Sequence, residues 1–239
     1  MIQHGALRSF CSKFLLNSLK AYSNSFKLLA NFIGIAKRIS SSKFCTMEKA
    51  GNSMIDAPRT LKNPLVWIDL EMSGLNVETD KILEFACLLS DGQLENVKEG
   101  PSYVIHQSDD VLDNMNEWCT NQHSKTGLTE SCRKSTVSEA DAEKWVMEFL
   151  EENGIKQGEA RLAGNTVYMD RLFLAKYMPK IDQHLHYRIV DVSSVKELCK
   201  YWYPSKFYQA PNKEGNHRAM EDIYASLKEL KYYREKIFV

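Results

Sequence analysis

At 239 residues the chain has room for one large domain or two small ones, and its 31 basic side chains match its 31 acidic ones. The balance is uneven: residues 1–47 hold seven Lys or Arg and no Asp or Glu, leaving 24 basic against 31 acidic residues, a net of −7, in the rest. An acidic body has no track of cations with which to grip a long nucleic acid by its phosphates, although a small anion held by a few fixed groups and metal ions is compatible with it.

Residues 1–47 are basic, Ser-rich and acid-free, with Lys and Arg recurring between apolar residues. That is the composition of a mitochondrial transit peptide. The segment lacks the compact apolar run of a secretory signal, and no stretch approaches the ~20 apolar residues of a membrane span. Met47 offers an internal start, which would yield a cytosolic form. Residues 48–62 (EKAGNSMIDAPRTLK) are polar and broken by Gly and Pro, as a linker is, so a folded domain is expected over residues 63–239.

That domain opens with LVWIDLEM at residues 65–72. Alternate positions of a strand share a face. Val66, Ile68, Leu70 and Met72 therefore make an apolar side, while Trp67, Asp69, Glu71 and Ser73 make the other. Two carboxylates about 5 Å apart at an effective dielectric of about 20 repel by roughly 3 kcal/mol, so the pair calls for a cation. KILEFACLLSD and GPSYVIHQ read as two more strands, joined by a polar segment around residues 91–100 in an antiparallel meander. In SEADAEKWVMEFLEENG a Ser138 cap, Asp141 three residues on, apolar positions 142, 145, 146, 149 and 150, and a stop at Gly154 define a helix. The second half alternates: RLAGN as a strand, TVYMDRLFLAKYM as a helix, YRIVDVS as a strand, SVKELCKYW as a helix, and a last helix over about 218–236. Antiparallel strands followed by strand–helix alternation indicate an α/β domain, a mixed sheet with helices on its faces. The six cysteines form no C-x-x-C pair and read as free thiols in a reducing compartment.

Acids recur at strand ends and helix starts: Asp69 and Glu71, then Asp170, then Asp222 in the HRAMED segment with His217 before it. Ligands of open α/β sheets collect at the carboxyl ends of strands, so these groups are placed to converge. Four carboxylates around one point need divalent cations, which take oxygen ligands. Two such cations form a clamp for in-line attack of water on phosphorus. A histidine beside them suits a general base, because its pKa lies near working pH. Taken singly, each group has an ordinary reading as a solvated or helix-capping residue; the set of them in this order carries the signal.

The set Asp69, Glu71, Asp170, Asp222 with His217 resembles the DEDDh group of 3′-to-5′ exonucleases, and within it the oligoribonuclease family. The stretches WIDLEMSGL, GPSYVIHQSD, YMPK, HYRIVDVSSVKEL, HRAMEDI and KELKYYRE carry the resemblance from about residue 64 to 238. It implies a ribonuclease-H-like fold, a five-stranded mixed sheet with helices on both faces. The implied activity is hydrolysis of two- to five-nucleotide RNAs to 5′-mononucleotides with two divalent cations, Mg²⁺ or Mn²⁺. Further roles follow from it: Leu75 as a wedge against the bases, Trp118 as an aromatic support, and Ser193 and Ser194 as hydroxyls capping the 5′ phosphate. Thr166 stands where the family has Ser in its GNS segment, Ser194 stands where Thr is common, and Met169 departs from a more polar position beside Asp170. Tyr187 and Arg188 are implied to reach the neighbouring subunit's site in a homodimer, and the basic leader is consistent with the mitochondrial form found in animals. Two other readings are a relative acting on longer RNA or DNA ends and a non-catalytic nucleotide-binding fold. The missing basic track disfavours the first, and the complete acid set disfavours the second.

Overall fold

The computed structural model describes residues 61–211 and 218–238. Five strands form one sheet in the order β3-β2-β1-β4-β5: β1 Leu65–Met72, β2 Ile82–Ser90, β3 Val97–Val104, β4 Arg161–Gly164 and β5 His186–Asp191. The β1–β2 and β2–β3 pairs are antiparallel, while β4 and β5 run parallel to β1. This is the expected mixed sheet. The first three strands make the meander, and the return through helices supplies the parallel half.

The described helices are α1 Asp109–Asp113, α2 Glu117–Lys125, α3 Leu128–Lys134, α4 Glu139–Glu152, α5 Tyr168–Tyr177, α6 Pro179–His184, α7 Val192–Trp202, α8 Pro204–Phe207 and α9 Ala219–Lys236. Strand alternation decides which helix each face receives. Val66, Ile68 and Leu70 pack with Ala142, Val146 and Leu150 of α4 and Phe173 and Leu174 of α5. Leu65 and Trp67 point the other way, into a core with Cys199 of α7 and Ile223 and Leu227 of α9. The cap of α4 is a reciprocal box: the Asp141 N–H donates to the Ser138 hydroxyl (3.1 Å), and the Ser138 N–H donates to the Asp141 carboxylate (3.2 Å).

The structure departs from the sequence reading in two places. Strand β3 begins at Val97, ahead of Gly100. Gly100 and Pro101 lie in a bulge, where the ladder steps from Ala86–Ser102 to Leu88–Glu99. A Cβ on Gly100 would come within 2.7–2.8 Å of Phe149 and Cys87, so only glycine fits. Pro101 is tolerated because β3 is an edge strand. Residues that signal a turn thus serve a bulge. The second departure is the run of short helices α1–α3, which cover the start of β2 through Leu83, Leu112, Leu128 and Cys132. Cys87, Cys119, Cys132 and Cys199 are buried free thiols, as expected. No described helix is long and apolar enough to cross a membrane.

Candidate active site

The carboxyl ends of the parallel strands β1, β4 and β5 meet at one end of the sheet, and the acids gather there. Asp69 and Glu71 project from β1 on the side of Trp67, the side that α9 covers, and Asp222 sits in the first turn of α9. These three offer carboxylate oxygens that all lie within 4.8 Å of one another. Burial, then the charges of Asp69, Asp222 and Glu84, push the Glu71 pKa from its ordinary 4.5 up to about 8, against a smaller opposing pull from Arg218. Asp170, in the first turn of α5, approaches β1 from the opposite face and is not part of the group of three. Its carboxylate accepts the Leu70 N–H at 2.9 Å. Burial first and Asp69 second hold it well above the usual carboxylate range. Hard oxygen donors, crowded until the Glu71 carboxyl retains its proton near neutral pH, fit divalent cations, whose charge would replace that proton. His217 lies outside the described residues.

The residues after β1 form a rigid loop. Asp80 accepts the Ser73 hydroxyl (3.0 Å) and the Asn76 N–H (2.8 Å). A side chain on Gly74 would collide with the Asp80 carboxylate. This brace presents Leu75 to solvent at 69% exposure. Trp118, also exposed, is carried by α2, and the same helix is tied to the end of β1: His123, buried in α2, donates its Nε2–H to the Met72 carbonyl at 3.0 Å. Its Nδ1 lies 4.0 Å from a Glu71 oxygen. Leu75 and Trp118 are therefore both held at the carboxylate end of the sheet.

A second polar centre follows β4. Thr166 has φ 54°, a left-handed conformation that costs a β-branched residue about 1–3 kcal/mol. Asp191, the cap of α7, holds it there by accepting the N–H groups of Thr166 (3.0 Å) and Ser193 (2.9 Å). The Thr166 and Ser193 hydroxyls then meet at 3.0 Å, and Ser194 is exposed beside them. The Ser193 hydroxyl also donates to the Asn165 amide oxygen (3.2 Å), whose NH₂ donates to the Ser226 hydroxyl (2.7 Å). Ser226 in turn donates to the Asp222 carbonyl at 2.7 Å. One hydrogen-bonded chain thus joins the helix bearing Asp222 to the hydroxyls after β4 and β5.

A family model described as an exonuclease, RNase_T, matches residues 66–230. The chain is 47% identical over 216 residues to the oligoribonuclease of Arabidopsis thaliana, spanning 90% of this chain and 96% of that protein. The chain belongs to the oligoribonuclease family. It is 45% identical over 190 residues to the mitochondrial oligoribonuclease of Homo sapiens, 80% of each chain. It is 48% identical over 177 residues to the oligoribonuclease of Pseudoalteromonas translucida, 74% of this chain and 97% of that one. Among solved structures, the zinc-bound complex of Escherichia coli exonuclease I with single-stranded DNA aligns at a TM-score of 0.56 and 18% identity over 74% of this chain. The chain spans 41% of the length of that enzyme, and the likeness shows the shared fold.

Two residues implied by the oligoribonuclease resemblance stand apart from the rest. Strand pairing passes from Arg161–His186 to Leu162–Ile189, so Tyr187 and Arg188 are extra residues in a bulge of the edge strand. A bulge re-aims side chains, and Tyr187 stands 72% exposed with the Arg188 guanidinium 5.3 Å from its ring centre. Arg161 is level with Leu65 at the start of β1. Six residues of strand separate Leu65 from Glu71, about 20 Å at ~3.3 Å per residue. The structure does not bring Tyr187 and Arg188 to this chain's own carboxylates. Conversely, sequence reasoning passed over Asp80, His123 and Asn165. Only Asn165 carried a signal, its place in the GNT turn; Asp80 and His123 look like ordinary polar residues until the loop and helix close on β1.

Proposed function

We propose that Asp69, Glu71, Asp170 and Asp222 hold two divalent cations, Mg²⁺ or Mn²⁺, and that His217 removes the proton from the attacking water. The chain is a metal-dependent nuclease, a 3′-to-5′ exoribonuclease of short RNA. The observation that carries the proposed site is the convergence of Asp69, Glu71 and Asp222 within 4.8 Å, with Asp170 adjoining through the β1 backbone. When bound, such cations lower the pKa of water and stabilise the departing oxygen. The protein's own groups do the rest. Glu71 gives up its proton to take the cations, Leu75 and Trp118 contact the bases, Ser193 and Ser194 bind the 5′ phosphate, and the Thr166 hydroxyl adds to the substrate contacts. Stacking on Trp118 tolerates any base, so sequence preference is weak. Rigid support of both ends by one hydrogen-bonded chain favours a substrate that spans from cap to cations.

The active unit is a homodimer in this reading. Tyr187 and Arg188 are exposed on a bulged edge strand about 20 Å along the sheet from their own carboxylates, where they are free to serve a partner's site. The leader over residues 1–47 directs the chain to mitochondria; it lies outside the described residues, and a reporter fused to it should co-localise with a matrix marker, whereas diffuse cytosolic signal would refute import.

The test of the function is hydrolysis of RNAs from two to twenty nucleotides with Mg²⁺, Mn²⁺ or a chelator. Dinucleotides should be turned over fastest, in either cation, with release of 5′-mononucleotides and no activity in chelator. Equal or better turnover of the twenty-nucleotide RNA would overturn the length preference, and full activity in chelator would overturn the cation site.

A further inference from the structure

Strand β2 carries one acid, Glu84, in an otherwise apolar run, ILEFACLLS. It pairs directly across the ladder from Glu71. Opposed residues of an antiparallel pair share a face, so Glu84 enters the same crowded region as Asp69, Glu71 and Asp222. It is 2% exposed, and no role is assigned to it by the four-acid site. A fifth carboxylate there would compete for cations or repel the other four. Arg218 opposes both, although part of the repulsion on Glu71 persists. Its Nη2 donates to one Glu84 oxygen at 2.8 Å, and its Nε lies 3.1 Å and 3.2 Å from the two oxygens. The Ala219 N–H adds a long contact at 3.5 Å, so Glu84 also meets the positive end of α9, which has no side-chain cap of its own.

Arg218 is at the same time the N-cap residue of α9, and its carbonyl accepts the Asp222 N–H at 3.1 Å. Glu84 is therefore two bonded contacts from the backbone of Asp222. The charge count agrees. With Glu84 neutralised by Arg218, four carboxylates remain, the charge that two divalent cations balance.

We propose that Glu84 and Arg218 act as a positioning pair, a clasp that sets the start of α9, and with it Asp222, relative to Asp69 and Glu71, and that keeps the fifth acid out of the cation site. The proposal rests on Asp222 being a cation ligand. It is tested with Glu84→Gln, Arg218→Gln and the double variant, compared per folded molecule with wild type. Each single variant should lower kcat on a dinucleotide by about 10- to 100-fold, the scale of a ~1 Å displacement, with KM within about twofold. The double variant should be no slower than the worse single, because the pair acts as a unit. Glu84→Gln leaves a bare guanidinium beside the ligands, so calorimetric Mn²⁺ affinity of the metal-free protein should fall about fivefold. In the double variant, which has lost both charges, the affinity should return toward wild type. Lower melting temperatures with kcat and Mn²⁺ affinity unmoved would reduce the clasp to a stabilising ion pair, and strictly multiplicative losses would show two independent residues; either overturns the proposal. Asp222→Asn is run alongside. If it keeps near-normal hydrolysis and Mn²⁺ affinity, the ligand assignment fails, an outcome separate from any result on the clasp.

Discussion

Helix α9 carries two acids whose surroundings are opposite. Glu229, nearly three turns in, is 1% exposed and fully engaged: the Lys196 ammonium lies 3.0 Å away and the Tyr233 hydroxyl donates to it at 2.9 Å. Asp222, in the first turn, instead gathers with Asp69 and Glu71. Burial does not separate the two roles, because buried carboxylates occur in both settings. The sign of the neighbouring charges does. An acid surrounded by cations and hydroxyls is finished as a structural element, whereas one surrounded by acids is completed by a ligand.

The same chemical change at the two positions should therefore have opposite outcomes. Asp222→Asn should abolish hydrolysis while the metal-free protein melts at an unchanged or higher temperature, since one of several repelling charges is gone; retained activity would break the contrast. His217→Ala should slow turnover by about 10²–10⁴-fold and leave Mn²⁺ affinity intact by calorimetry. Glu229→Gln should cost about 1.5–3 kcal/mol in urea unfolding, the worth of a charged hydrogen bond, and lower activity per folded molecule far less than Asp222→Asn does. If Glu229→Gln proves the more damaging to turnover, neighbouring charge is a poor guide to role.

The same contrast has a consequence for stability against pH. Glu71 is raised by burial and neighbouring acids from 4.5 to about 8, so the folded protein holds a proton that the unfolded chain releases. The stability linked to it is full below about pH 4.5 and is lost as pH rises through about 8, at up to about 1.4 kcal/mol per pH unit between them. Asp170, shifted in the same direction, adds to this slope. Melting temperatures in chelator should fall from pH 5 to pH 8, and saturating Mn²⁺ should flatten or reverse the trend. A flat profile in chelator would show that the acids ionise without strain.

Much of this arrangement is legible before any coordinates, for identifiable reasons. Alternation along β1 assigns Asp69 and Glu71 to one face because strand periodicity is local, and the 138–154 helix announces itself through its cap and its apolar spacing. Features set by closure of the chain are not legible in that way. Gly100 and Pro101 spell a turn and a bulge equally well. The bulge at Tyr187 and Arg188 depends on how β5 meets β4, which no local pattern records. The short helices α1–α3 are too brief for periodicity to build up, and with them the contact of His123 with Met72 was hidden. Glu84 did leave a trace, as one acid in an apolar strand, but its partner lies 134 positions along the chain.

Thr166 has a consequence for the evolution of the chain. Its left-handed backbone is one that glycine or asparagine adopts more readily, so the simplest route to a sturdier fold runs through that position. The same change would delete or displace the hydroxyl that meets Ser193. Selection for thermal endurance and selection for turnover therefore pull this residue apart. Libraries screened only for folding should drift toward Gly or Asn at 166, and libraries screened for hydrolysis should retain Thr or Ser.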